Sequence, residues 1–453
     1  MVYRTETNKK PDIPPAVRRV LDVLEGAGYE AWLVGGCVRD WLLGSVPKDY
    51  DVTTQATVDK VMAAFKGFRV IATGAKHGTV TVISDSMPVE VTTYRIDGSY
   101  SDGRHPDSVT FSADIRDDLS RRDFTVNAMA YSPRKGYLDL FGGMDDLERG
   151  VIRCVGDPAT RFSEDALRIL RALRFASVTG FTIEPDTARA VREGRGLLEK
   201  IAVERITREL FGLLCGEGAE DVLRRFPDVL GQIIPPLRAT FGFNQHNPYH
   251  DFDVWEHTVR TVGAVPPDSA LRLAALLHDI GKPDCFTTDE GGKGHFYGHA
   301  ARSGEIAEEI FARYIRTDKK TEARVLLLVK SHDEPLIPER RIMRRRLARY
   351  GVEVLRQLAA LNRADIIGQT AVPDADRLAA LDNALKILDG LAEESSCTSL
   401  RDLKINGGDL QAAGVPQGPA VGRILNALLS EVCDERIENS REALLSRARE
   451  LMN

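Results

Sequence analysis

No stretch of the chain stays apolar for long enough to cross a bilayer as a helix, so no membrane association is expected. Cysteine is sparse. Cys37, Cys154, Cys215, Cys285, Cys397 and Cys433 stand far apart, with no Cys-x-x-Cys pair. That spacing excludes a thiolate zinc knuckle and predicts free thiols in a reducing compartment. A surplus of positive charge is also missing. Lys and Arg number 61 against 67 Asp and Glu, a formal net charge of −6, so any nucleic-acid contact must use local basic patches. There is no internal repeat and no low-complexity tract. The residues up to Pro15 are polar and charged and do not read as a signal peptide, which makes a cytoplasmic location the expectation. Met1–Asp12 is expected to be loosely attached.

What the chain does have is length and a globular composition. Its 453 residues, 43% hydrophobic and 28% charged, predict roughly two to four domains. The organising stretch is Leu-Val-Gly-Gly-Cys-Val-Arg-Asp-Trp-Leu-Leu-Gly from Leu33, then Lys-Asp-Tyr-Asp-Val-Thr-Thr up to Thr54. The pattern predicts a strand at Ala31–Val34, a turn at Gly35 and Gly36, a helix from Cys37 to Leu43, and a second strand carrying Asp49 and Asp51. Glycines let phosphates approach the backbone, and the helix start offers free N–H groups and a positive dipole end. Two positions apart on an extended segment, Asp49 and Asp51 leave the same face. Paired hard oxygens beside a phosphate cradle suit Mg2+. A later strand at Val89–Thr93 turns Glu90 away from Val89 and Val91. Glu90 is then either a third carboxylate for the metal or an ordinary polar-face glutamate. Tyr94–Asp107, rich in Gly, Ser and Asp, reads as a long loop.

Two further stretches carry charge in a pattern. Arg121, Arg122 and Asp123 precede an apolar Ala-Met-Ala. Phe162–Phe175 reads as a helix capped by Ser163, with Glu164 and Asp165 in its first turn and Leu167, Leu170 and Leu173 as the buried stripe. Asp165, Arg168, Arg171 and Arg174 recur every three residues, drifting by about 60° per step. Taken alone, that is a charged amphipathic helix with internal ion pairs.

In this order, the three motifs resemble the signature of class II bacterial tRNA nucleotidyltransferases (CCA-adding enzymes) and poly(A) polymerases, within the nucleotidyltransferase superfamily. The resemblance implies a mixed-sheet head in which Asp49, Asp51 and Glu90 are catalytic, Asp49 and Asp51 binding Mg2+. It implies that Gly35, Gly36, Arg39 and Arg122 hold a nucleoside triphosphate. It implies that Asp165 and Arg168 read the incoming base, supported by Arg171 and Arg174. A carboxylate can accept from the exocyclic amine of cytosine or adenine while an Arg donates to the neighbouring ring acceptor. Uracil and guanine present the opposite groups and would leave buried polar atoms unpaired. The loop from Tyr94 is similar in length to that of family members able to add A.

A second centre follows the same logic. His257 opens a helix, His278 and Asp279 end the apolar run Leu271–Leu277, and Asp365 lies in Asn-Arg-Ala-Asp-Ile-Ile-Gly, with His299 and His332 between. The order His, His-Asp, Asp resembles the HD phosphohydrolase signature. It implies a divalent metal (Mn, Ni, Co, Fe or Mg) held by His257, His278, Asp279 and Asp365. A scaffold that has kept the residues without the activity fits the same pattern. Arg340, Arg341, Arg344, Arg345, Arg346 and Arg349 crowd one helical stretch, either a solvated face or an RNA grip.

The expected fold class is α+β: a nucleotidyltransferase head (14–150), a helical nucleotide-selecting neck and body (151–236), an all-α HD domain (247–370) and a helical tRNA-binding tail (371–453). The expected partners are tRNA, ATP and CTP, with no obligate protein partner evident. Addition of A alone, poly(A) synthesis, and a mainly phosphohydrolytic protein remain the alternatives.

Overall fold

The computed structural model describes residues 3–4, 11–98, 108–393, 400–434 and 436–452. The chain divides into two compact units, Met1–Pro235 and Pro236–Asn453. The fold is mixed α+β, with its large sheet in the first unit.

That sheet has eight strands, in the order 3–4, 136–139, 129–132, 31–34, 51–54, 87–93, 79–84 and 69–71. Asp51–Thr54 and Met87–Thr93 run parallel, and their register sets Asp51 beside Glu90. Ala31–Val34, near the centre, is buried along its whole length because both faces are covered. Leu33 packs with Val17, Val20, Leu21 and Leu24, the apolar stripe of the helix Pro15–Gly26. Trp32 and Val34 pack on the other face with Tyr94, Ile115 and Leu119. Burying each such side chain contributes about 1.5–3 kcal/mol. In Thr79–Ser84 the alternation is plain, with Val80, Val82 and Ser84 turned inward.

Three expectations change here. Residues 3–4 are a strand paired with Tyr137 and Leu138, whereas 1–2 and 5–10 lie outside the described residues. The second strand of the organising stretch begins at Asp51, so Asp49 sits just before it. The long loop starts later than expected, because Arg95–Asp97 pairs with Val109–Phe111 as a hairpin; residues 99–107 lie outside the described residues.

Among the described residues, the second unit is helical apart from the short pair Thr287–Thr288 and Gly294–His295. Aspartate caps set its helix registers. Asp253 accepts from the Glu256 amide, opening Val254–Ala264, and Asp268 accepts from that of Leu271, opening Ser269–Leu277. Toward the C-terminus, Leu403, Leu410, Leu428 and Leu444 build a separate apolar cluster.

No described helix is long and apolar enough to cross a membrane. The five described cysteines are free, and burial pushes the thiols of Cys37 and Cys154 up to about 12, far from a nucleophile's range. Cys397 lies outside the described residues.

Candidate functional site

The bend after Ala31–Val34 is sharp because Gly35 has φ +76° and ψ −132°, a conformation L side chains rarely adopt. A Cβ placed there would lie 2.8 Å from Nη1 of Arg122 and 3.9 Å from Oδ2 of Asp51. The glycine therefore marks the point where a guanidinium and a carboxylate converge. Arg122 is held by Asp118 (3.3 Å), and its Nε is buried without an acceptor. Asp49 and Asp51 flank Tyr50, which is buried against Trp41, so the two acids leave the opposite face. Burial raises the pKa of Asp51; Asp49 and Asp118 add to this and Arg122 opposes it. Glu90 is raised by burial, then by Asp51 and Asp49. Three carboxylates crowding one another in this way suit a hard divalent cation. They are nevertheless not drawn as tightly together as the acidic and histidine groups of the second unit.

Arg39 of the helix Gly36–Leu42 points across the site. Its Nη1 donates to Asn127 Oδ1 at 2.7 Å, and Asn127 donates to Asp123 at 3.1 Å. Asp123 in turn accepts from Arg171 at 2.8 and 2.6 Å. The guanidinium carbons of Arg39, Arg171 and Arg174 lie 5.1, 5.2 and 4.3 Å from the Phe175 ring. One network thus links the bend to the arginine helix. Burial works against the Asp123 charge, but Arg171 and Asn127 outweigh it and hold the carboxyl at about 2. A depressed carboxyl stabilises the fold above its unfolded pKa, and that contribution is lost as pH falls through the folded value. Asp123→Ala is expected to cost about 2 kcal/mol at pH 7, with the gap to wild type closing between about pH 4 and pH 2 in urea titrations.

The arginine helix itself differs from expectation. Instead of one helix capped by Ser163, Pro158–Glu164 ends, Asp165 is extended at φ −138°, and Leu167–Thr179 begins anew. Asp165 accepts from the Leu167 amide, the first of the new helix, at 3.1 Å and meets Arg205 at 3.3 Å. Arg168 is buried and folds back onto Glu164 (2.7 Å) and the carbonyls of Arg161 and Arg121 (3.1 and 2.9 Å). Arg174 pairs with Glu209. Asp165 and Arg168 thus do not share one continuous helix, and both already have protein partners.

In the second unit, ligand atoms of His257, His278, Asp279 and Asp365 all lie within 4.8 Å of one another. Nε2 of His257 is 3.1 Å from Asp279 Oδ2 and 3.1 Å from Asp365 Oδ1. His278 Nε2 is 3.1 Å from Asp279 Oδ2, and its Nδ1 lies 2.8 Å from the Ala275 carbonyl, which fixes the tautomer. Asp365 reaches the cluster because Gly368 lets its helix press on Val254–Ala264; a Cβ there would lie 2.6 Å from Thr261 Oγ1. Asp279 Oδ2 is buried and accepts no well-formed hydrogen bond, although the Lys282 ammonium is 2.7 Å away. Imidazole and carboxylate donors converging on an orphaned oxygen fit a divalent transition metal. Burial disfavours charge on His278, but the carboxylates outweigh it and push its pKa up to about 10.

Residues 31–153 match the poly A polymerase head domain, 180–227 the RNA and SrmB- binding site of polymerase A, and 306–448 the tRNA nucleotidyltransferase domain 2. The CCA-adding enzyme of Levilactobacillus brevis is 34% identical over 434 residues, covering 95% of this chain and 96% of its own. This chain belongs to the CCA-adding enzyme family. It is a tRNA nucleotidyltransferase, as the sequence motifs implied. The CCA-adding enzyme of Lactiplantibacillus plantarum is also 34% identical, covering 96% of this chain and 95% of its own. Among solved structures, the Bacillus stearothermophilus CCA-adding enzyme in complex with CTP aligns with TM-score 0.70 at 29% identity, over 97% of this chain and 98% of that one. The Thermotoga maritima CCA-adding enzyme complexed with tRNA shares the fold at TM-score 0.60 and 20% identity, over 97% of both chains.

In this CCA-adding family member, the arginine run is largely neutralised. Arg341 and Arg345 grip the buried Asp434, and Arg346 and Arg349 pair with Glu334. These pairs tie the helix Arg340–Tyr350 to its neighbours, while Arg341, Arg345 and Arg349 keep about half or more of their side-chain surface exposed. Sequence reasoning gave no role to Asn127, Arg205, Asp118 or Lys282. Lys282 had a signal, three residues after Asp279 and so on the same side of the chain. Arg205, forty residues from Asp165, had none.

Proposed function

We propose that the head transfers CMP and AMP to the 3′ end of tRNA without a template, completing or repairing CCA. The observation that carries this is the convergence at Gly35 of the Asp51 carboxylate and the Arg122 guanidinium, whose buried Nε has no acceptor in the protein. Asp49 and Asp51 would hold two Mg2+, with Glu90 beside them; bound there, the ions supply Lewis acidity to the tRNA 3′-hydroxyl and charge compensation at the α-phosphate. Gly35 and Gly36 give the triphosphate access to the backbone, and Arg39 and Arg122 neutralise it. Asp165 and Arg168 select the base, with Arg171 and Arg174 bracing them. Positioning and charge stabilisation carry such chemistry, so no nucleophilic side chain is needed. ATP and CTP as substrates agree with the complexes solved for CCA-adding enzymes, one with CTP and another with ATP. The head, neck and body, HD and tail segments at 14–150, 151–236, 247–370 and 371–453 are the matching functional partition. Incubation with tRNAs ending before CCA, after the first C and after CC tests the reading. Completion of all three is expected; extension only of the CC-ending tRNA, or long A tails, would overturn it.

A second activity is favoured by the second unit's cluster. Its four ligands fit a divalent metal able to activate water against phosphoesters. His278→Ala is expected to abolish Mn- or Ni-dependent hydrolysis of small phosphoesters and leave nucleotide addition unchanged. Equal hydrolysis by wild type and variant would reject this activity.

A further inference from the structure

In the first unit, three positive charges gather around a single aromatic ring. The guanidinium carbons of Arg39, Arg171 and Arg174 all lie within 5.2 Å of the Phe175 centroid, although Arg39 belongs to the helix Gly36–Leu42 and the other two to Leu167–Thr179. Like charges this close repel. Each has an acidic partner: Asp40 for Arg39, Asp123 for Arg171 and Glu209 for Arg174. Each acid pairs with one arginine, whereas the ring meets all three. An aromatic face attracts a guanidinium through its negative potential and leaves the in-plane N–H groups for stronger acceptors. The three side chains keep 14, 32 and 23% of their surface exposed, so an incoming anion can reach them. The ring itself is fixed. Phe124 stands at 82° to it with centroids 5.7 Å apart, and both rings are buried. Phe124 follows Asp123 in the chain, so one short segment holds both the ring and the acid that grips Arg171. Gly212 leaves the room that the Arg174 stem takes: a Cβ there would lie 2.5 Å from Arg174 Cδ.

We propose that Phe175 is a positioning residue for nucleotide addition: its ring holds the triphosphate arginine, Arg39, against the two arginines that brace base selection, so that both halves of the nucleotide are met by one prearranged cationic cluster. This rests on the assignment of Arg39 to the triphosphate and deepens it. The ring is shielded from water, the condition in which attraction between a cation and an aromatic face is largest. A leucine at 175 would fill much of the same space with no such face. The three guanidinium groups would then keep only their separate acids, and the nucleotide would have to gather them on binding.

The test replaces Phe175 in the full chain by mono-, di- and trifluorophenylalanine, which keep the ring's shape while weakening the negative potential of its face. Addition is measured with CTP on a tRNA ending before CCA and with ATP on one ending in CC. KM for both nucleotides should rise with each fluorine, by about tenfold across the series, while kcat stays within about threefold. A packing role would leave KM level, because the apolar volume hardly changes. Phe175→Leu should raise KM at least as far as the trifluoro ring does, and the fluorine series decides even where that variant folds poorly. Arg39→Ala is measured beside them. A raised KM in Arg39→Ala with a level fluorine series would overturn the role of Phe175 and leave the triphosphate assignment standing. An unchanged KM in Arg39→Ala would remove both.

Discussion

Asp51→Asn is expected to lower nucleotide addition by about a thousandfold or more while tRNA binding persists. Asp51 is more enclosed than Glu90, and it borders both that residue and the Gly35 bend. The stability effect should run the other way. A carboxyl whose folded pKa is raised is disfavoured as an anion, so the fold loses stability as pH rises through the carboxylate range. The amide removes that penalty. Without metal at pH 7 the variant should melt at or above the wild-type temperature, and Mg2+ should raise the wild-type midpoint but not the variant's. Calorimetry with and without Mg2+, beside a primer-extension assay and a tRNA gel shift, checks all three outcomes. Addition within tenfold of wild type, or loss of tRNA binding, would contradict the assignment.

Gly35→Ala is the second large effect, expected to reduce addition by about a hundredfold in a folded protein. Two costs combine. The backbone at φ +76° and ψ −132° costs an L residue roughly 1–3 kcal/mol. The new methyl would also stand 2.8 Å from Arg122 Nη1. That atom is the tip of a flexible side chain, so the fold can yield, but it yields by moving the guanidinium assigned to the triphosphate. Gly26→Ala, at the end of the helix Pro15–Gly26 and outside the site, is the control. A Cβ there meets nothing within 4 Å, so activity should stay within a fewfold. The KM for ATP and CTP should rise in the first variant and not in the second; equal behaviour of the two would argue against the Gly35 geometry.

Local chemistry made much of this molecule readable in one dimension. Periodicity located the strand Ala31–Val34 and the helix that follows, because burial on a pleated strand or a helical face repeats with fixed spacing. The residue types of the second centre also read as a metal-binding pattern, and the four side chains do meet. What failed was continuity across a short polar segment. The stretch around Asp165 has good helical spacing, yet it breaks there because the Asp165 side chain accepts from the Leu167 amide and Arg168 turns back to the carbonyl of Arg121, forty-seven residues away. No window of neighbouring residues contains that partner.

By itself, the sequence determined the α+β head, the family, and the identity of the acids, arginines and histidines available for chemistry, since these follow from composition, spacing and motif. Only the tertiary structure decided which of them share a charge: that Asp51 lies beside Glu90 through a parallel register, that four arginines of the basic run are already paired, and that Asp279 faces two groups of histidines at once. The reason is that electrostatic partnership depends on distance in space and on exclusion of water, and both are set by packing between segments far apart in the chain.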